Sequence, residues 1–358
     1  MLGASKSLGL LMAGSALALA AGITAAGAQS TDEIMERELS VVGSFSTSNL
    51  FPDYEEPFWT ETLPEASGGK LTANARPFDQ LGLSGAAVYD MVSQGVYDIG
   101  TTVMDYVAGD VPRVEGADIP AIADPALMRE MIEAYKPALE KAFDETYDSK
   151  LLAVLPFSTQ VVFCNTPISG LEDLAGKRIR GSGRMTLDFI EAIGATGVSV
   201  GFNEVPVALE RGVIECGVTG TLSGYLAGWS EIATHFYPLP VGGWDPVGVV
   251  IRNDVWAELN EPTQTLLAEQ LAGLEDKVWG DIDRVLQAGI ACNTGGDCPY
   301  GEAEDLTLVE VTDADLQRAL ELTESSVLPQ WAERCGAECV EFWNESAGDV
   351  LGIAAVQN

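Results

Sequence analysis

The chain has 358 residues, 54 of them acidic against 19 basic, for a formal net charge of −35. A surface that acidic repels phosphate backbones and anionic bilayers, which excludes nucleic-acid binding. With a single histidine, His235, a histidine-rich metal site is excluded, and any Ser-His-Asp or Cys-His apparatus would have to use that one imidazole.

The first element is a leader. Lys6 precedes an uncharged, alanine-rich run from Leu8 to about Ala21, and Ala26-Gly27-Ala28 offers a small-residue cleavage site before Gln29. That is the grammar of a secretory signal peptide over residues 1–28. No basic stop-transfer flank and no cysteine for lipid attachment follow it. No later apolar run approaches the roughly 20 residues of a membrane span. The mature chain is therefore expected to be exported and not membrane-inserted.

Alternating strands and helices follow. Leu39–Gly43 reads as a short strand running into the polar loop Ser44–Asn49. Phe51–Leu63 has helical spacing and stops at Gly68-Gly69. Lys70–Ala75 alternates like a strand. Ser84–Gln94 reads as a helix closed by Gly95, a residue free to take positive φ. Val96–Gly100 is expected to be a strand, Met128–Tyr147 a helix and Lys150–Phe157 a buried strand. The alternation predicts α/β lobes with largely parallel sheets. Thr234-His235-Phe236-Tyr237 reads as ordinary packing at a helix end rather than as a catalytic site.

An internal echo supports two related lobes. Met91 to Gly100 resembles Ala208 to Gly217, each with a helix end, a stopping glycine (Gly95, Gly212), an acid (Asp98, Glu215) and a second glycine (Gly100, Gly217) at the same spacing. Six cysteines in an exported chain read as disulfides, with 15 possible pairings. Cys164 and Cys216 lie in strand-like runs and are paired on that ground. Cys292 and Cys298 flank a loop that closes on itself, and Cys335 and Cys339 lie four apart around Gly336.

Several ordered segments carry a family resemblance. Ile168–Arg180, Ala192–Ala195, Phe202–Val205 and Ala208–Gly217, with Ser67–Leu71, Gln80–Gly82 and Gly95–Ile99, resemble the solute receptors of tripartite ATP-independent periplasmic (TRAP) transporters. The resemblance covers most of the mature chain. It implies a two-lobed α/β periplasmic binding protein fold, type II-like, with a long helix along both lobes. Glu261-Pro262-Thr263 opens a helical stretch toward Ala291 that suits this helix, proline being favoured in a first turn. The expected lobes are residues 29–157 with 246–287, and residues 158–245 with 288–358.

Arg180 is the foremost site candidate. It ends the strand-like Lys177–Arg180 and precedes Gly181-Ser182-Gly183, where the chain turns into a helix over Arg184–Ile193. A planar guanidinium fork beside free backbone donors suits a carboxylate, and the resemblance implies a carboxylate-binding arginine at this position. Lys177, Arg178 and Arg184 are assigned to surface ion pairs. The resemblance adds Phe202 as an aromatic against the ligand and Thr219 as a polar residue after the Gly212–Gly217 strand. Gln160 falls where some sugar-acid receptors of the family carry a second basic residue, which argues against such a ligand. Trp244, in Gly242-Gly243-Trp244-Asp245-Pro246, is expected as a flat apolar wall or as hinge packing. Thr47, Asn49 and Tyr106 complete the expected set from strand-end loops.

The implied function is a periplasmic receptor, not an enzyme and without a cofactor or metal. It would capture a small organic acid between its lobes and deliver it to the integral membrane subunits of a TRAP transporter. An aromatic or small hydroxy acid is favoured over a sugar acid. Two alternatives are a receptor of the same fold serving an ATP-driven importer or sensor, and an enzyme built on this fold.

Overall fold

The apolar run expected as the first strand is extended by two residues on its polar side. It forms β1 (Arg37–Gly43), the second strand of a five-stranded sheet. The computed structural model describes residues 31–357; the leader, with its cleavage site, lies outside the described residues. The first sheet runs β2 (Leu71–Pro77), β1, β3 (Ile99–Val103), β10 (Val247–Arg252), β4 (Ser149–Leu155). The second runs β11 (Thr307–Leu308), β9 (His235–Tyr237), β5 (Gln160–Cys164), β8 (Cys216–Gly220), β6 (Arg178–Arg180), β7 (Thr196–Val198). Each sheet is the centre of one lobe of a mixed α/β fold.

The helices in chain order are α1 (Leu63–Ala66), α2 (Val88–Ser93), α3 (Pro125–Tyr147), α4 (Arg184–Ala192), α5 (Val205–Glu210), α6 (Thr221–Leu226), α7 (Asn253–Glu258), α8 (Glu261–Gly280), α9 (Ile282–Asn293), α10 (Asp313–Leu322), α11 (Leu328–Cys335), α12 (Ala337–Trp343) and α13 (Asp349–Leu351). Wide helical turns over Phe51–Glu55 and Phe58–Thr62 lead into α1. The expected long helix is α8 and α9, interrupted only at Asp281. Its first part packs on β4 and its second on α6, so it runs along both lobes.

The sheets are only half parallel. β1 pairs parallel with β2 and β3, and β6 with β7 and β8, but β10 is antiparallel to β3 and β4, and β5 to β8 and β9. These two strands are the ones the chain enters directly from the other lobe, from β4 into β5 and from β9 into β10. A strand reached by a short crossing, without a βαβ connection, carries no requirement to run parallel.

The sequence echo is structural. Gly95 and Gly212 both take positive φ, 77° and 66°. Asp98 accepts the backbone N–H of Ser40 at 2.8 Å, and Glu215 that of Arg178 at 2.9 Å. Each acid thereby ties the entry of its own strand to the parallel neighbour. It also explains why β3 and β8 begin later than expected, at Ile99 and Cys216: the residues after each glycine form the exit turn rather than strand. His235 likewise lies in β9 and not at a helix end.

The C-terminal helices touch elements that flank both sheets. The turn after α10, Thr323–Val327, packs against α4, whereas α11 packs on the turns Pro112–Ala117 and α12 and α13 on α3. Fully buried Trp331 and Trp343 donate their indole N–H groups to Pro112 O (2.9 Å) and Gly116 O (2.8 Å). A Cβ at Gly116 would lie 2.8 Å from Trp331 and 3.0 Å from Trp343, so the absent side chain is what admits both rings. All six cysteines are paired, as Cys164–Cys216, Cys292–Cys298 and Cys335–Cys339. The first joins directly opposed residues of β5 and β8.

Candidate functional site

The ends of β3, β6 and β8 face the gap between the sheets, and Arg180 stands there. β6 needs only three residues because Ile179 and Arg180 pair with Cys216 and Gly217, after which Gly181-Ser182-Gly183 turns into α4. Arg180 is 2 % exposed. Its Nε donates to Val200 O at 3.0 Å and Nη1 to Val218 O at 2.8 Å. The guanidinium carbon lies 5.6 Å from the centroid of the Trp229 ring, a cation–π distance. Two of its five N–H groups are thus spent on carbonyls that hold the fork in place. Arg180 forms no ion pair among the described residues. Burial pulls its pKa down, opposed by the nearby Tyr106 hydroxyl and Asp245 carboxylate.

Around this fork is a small chamber with a free volume of about 20 Å³, little more than one water occupies. Phe45, Ser48, Val103, Tyr106 and Phe157 line it from the first lobe and its crossing segment; Gln160, Phe202, Thr219, Ser223 and Asp245 complete it. An outer cleft of about 660 Å³ opens beyond it and shares Phe45, Tyr106, Arg180 and Phe202. The Phe45 and Phe202 rings meet across the lobes at 5.0 Å between centroids. Thr47 Oγ1 donates to Asn203 Oδ1 at 3.2 Å on the rim. The lobes are therefore in contact and the site is closed.

Of the residues expected from the sequence, Arg180, Thr219, Phe202, Gln160 and Tyr106 line the chamber. Gln160 donates to Ser158 O and keeps Oε1 buried without a partner. Thr47 is on the rim. Asn49 is buried beside the loop, where its carbonyl accepts the Asp53 N–H, and it does not line the chamber. Trp244 is no wall: it is fully buried, donates its indole N–H to Ile122 O at 2.8 Å and packs on Trp279 of α8. Phe45, Ser48, Val103, Phe157, Ser223 and Asp245 were missed. For Asp245 the signal was present in Gly242-Gly243-Trp244-Asp245-Pro246, a turn-forming run carrying an acid.

Behind the chamber lies a set of buried acids. Asp118 Oδ1 accepts the backbone N–H groups of Trp244 (2.6 Å) and Asp245 (2.9 Å). Burial, and then the Asp245 charge, push the Asp118 carboxyl up to about 8. Asp245 is pushed up to about 6 by burial, with Arg180 and Ser182 pulling the other way. Asp105 is raised strongly by burial and then by Asp118, Glu115 and Asp245, with the Arg184 backbone N–H pulling the other way. Its carboxylate presses on Gly183, at the start of α4, where a Cβ would overlap it. Further out, Arg334 of α11 bridges Glu115 in the first lobe and Asp188 of α4 in the second, the latter at 2.7 Å. Arg184, assigned to the surface, is half exposed and pairs with buried Asp188 at 3.1 Å.

His235 contacts the Thr234 hydroxyl at 2.8 Å and does not line the chamber. The described residues contain no group of three or more His, Cys, Asp or Glu placed to hold a metal ion, and no helix among them is long and apolar enough to cross a membrane.

The family model for bacterial extracellular solute-binding protein, family 7, matches residues 51–284. Among solved structures, a TRAP periplasmic solute-binding protein from Desulfovibrio salexigens with bound orotic acid is similar at a TM-score of 0.76 and 20 % identity, over 87 % of this chain and 99 % of that one. A Bordetella pertussis extracytoplasmic solute receptor binding pyroglutamic acid is similar at 0.72 and 18 %, with the same coverage. A TRAP periplasmic solute-binding protein from Rhodoferax ferrireducens with bound malonate is similar at 0.75 and 15 %, over 88 % and 98 %.

Proposed function

The chain belongs to the bacterial extracellular solute-binding protein family 7, the TRAP solute-receptor family, and on that premise we propose that it is a periplasmic receptor for a small organic acid. The observation that carries the reading is Arg180: a guanidinium 2 % exposed, oriented by two carbonyls and without an ion-pair partner, at the meeting of both lobes. A buried cation held this way is costly unless an anion completes it, and a planar fork suits a carboxylate. The acids carried by the solved relatives, orotate, pyroglutamate and malonate, are all carboxylates of this size.

In this reading the acid first meets Arg180, Thr219 and Gln160 on the second lobe. Phe45 and Tyr106 of the first lobe then close over it. The ligand shifts the open–closed equilibrium only as far as it prefers the closed form, and exclusion of water strengthens its pairing with Arg180. Because the closed chamber is so small, Phe45 and Phe202 must part to admit a ligand. The loaded receptor would dock on the membrane subunits of a TRAP transporter for secondary-active uptake. A thermal-shift screen of organic acids tests this. An acid at 100 times its dissociation constant adds about 2.7 kcal/mol of apparent stability, and a flat response to every carboxylate would contradict the reading.

A further inference from the structure

We propose that Asp245 sets the specificity of this chamber, restricting it to small monocarboxylates that carry an N–H or O–H donor close to the carboxylate and rejecting dicarboxylates. The inference rests on the receptor reading above and narrows it.

Asp245 lies on the segment that crosses from β9 to β10, and its backbone is in the left-handed region at φ 42°. An aspartate rarely adopts that conformation unless its surroundings impose it. Here they do: Asp118 holds the N–H groups of both Trp244 and Asp245, while Trp244 is anchored to Ile122 and Trp279. The side chain so placed lines the chamber with its Oδ1 buried and without a hydrogen-bond partner. The Ser182 hydroxyl and Arg180 favour its charged form against burial and the facing acids Asp105 and Asp118.

Two consequences follow from charge and valence. Among the described residues Arg180 is the one basic residue lining either the chamber or the outer cleft, and Asp245 lines the same chamber without forming an ion pair with it. One ligand carboxylate can be accommodated on the fork; a second meets Asp245 with no further cation to offset it. An ionised carboxylate also only accepts hydrogen bonds, so its buried Oδ1 is satisfied by a ligand donor and left bare by an analogue lacking one. A site built around a buried polar group discriminates strongly against the ligand that cannot pair with it.

The test is calorimetry at pH 7.5 on wild type, Asp245→Asn and Asp245→Gly. Both replacements suit a left-handed backbone. The probes are matched pairs: pyroglutamate against 5-oxotetrahydrofuran-2-carboxylate, in which the ring N–H becomes an ether-type oxygen, and lactate against propanoate. Malonate and succinate are the dicarboxylates. The expected result is that wild type prefers at least one donor-bearing acid over its partner by roughly ten- to a hundred-fold, and binds both dicarboxylates more weakly. Both variants narrow that preference and tolerate dicarboxylates better by about ten-fold or more. If donor-free acids or dicarboxylates match the donor-bearing ones in wild type, or if neither variant changes the ratios, the role of Asp245 is overturned while the receptor reading stands. If no acid of any class binds, both fall.

Discussion

Closure can be attacked without touching the ligand, through Gly183. This residue is at the start of α4 in the second lobe, and its φ of −142° is open to any amino acid. What forbids a side chain is the first lobe: a Cβ there would overlap the Asp105 carboxylate. Asp105 has little room to retreat, being 5 % exposed and packed against the chamber's other acids. Gly183→Ala should therefore leave each lobe folded and penalise only the closed arrangement. Overpacking of this kind costs about 1–3 kcal/mol, equivalent to roughly 5- to 150-fold weaker binding. Calorimetry with the acid that gives the largest thermal shift measures the loss, and the melting temperature of the free protein controls for folding. Gly183→Ala combined with Asp105→Ala should recover part of the affinity by removing the obstruction. If Gly183→Ala binds as tightly as wild type, contact between Asp105 and α4 is not part of the ligand-bound state.

Two further outcomes concern the joint between the lobes. Arg334→Ala leaves Glu115 without its ion-pair partner and Asp188 with Arg184 alone, the two acid side chains being 1 % and 0 % exposed. Breaking a buried pair costs about 3–5 kcal/mol, less here because Arg334 itself is a quarter exposed, and a melting temperature within a degree of wild type would contradict it. The second is a pH dependence. Asp118, Glu55 and Asp245 are raised in the folded protein to about 8, 7 and 6. Each binds its proton more tightly folded than unfolded, so stability is greatest at low pH within the window and falls as pH rises from about 4 toward 8. Surface carboxylates are fully ionised above about pH 6, so Asp118→Asn should flatten the melting-temperature slope between pH 6 and 8; an unchanged slope would locate the effect elsewhere.

Much of this was legible in the sequence because it is local. Arg180 was readable from a strand-like run ending at Gly181-Ser182-Gly183, since a strand end followed by glycines has few structural solutions. The two lobes were readable from the Gly95 and Gly212 echoes, where a positive-φ glycine and a capping acid recur at fixed spacing. The failures are all cases where meaning depends on what arrives from elsewhere in the chain. Val96–Gly100 has the composition of a strand, but Asp98 is taken up by Ser40, nearly 60 residues earlier, and the strand starts at Ile99. Trp244 looks like a ligand wall until Ile122 and Trp279 are seen to enclose it. Asp245 looks like a turn acid until the Asp118 carboxylate fixes its backbone. β5 and β10 run against their neighbours for the same kind of reason, entering from the other lobe.

In the proposed function Arg180 holds the carboxylate of the captured acid. Titration calorimetry on Arg180→Ala and Arg180→Lys, with exposed Arg318→Ala of α10 as control, tests it most directly. Removing one partner of a buried, hydrogen-bonded charge pair costs on the order of 2–5 kcal/mol, or roughly 30- to several-thousand-fold in dissociation constant. Arg180→Lys should also bind poorly, because a point charge cannot reproduce the fork held by Val200 and Val218. Arg318→Ala should bind as wild type does. If Arg180→Ala remains folded and binds the same acid as tightly as the wild-type protein, the carboxylate is held elsewhere and the account fails at its core.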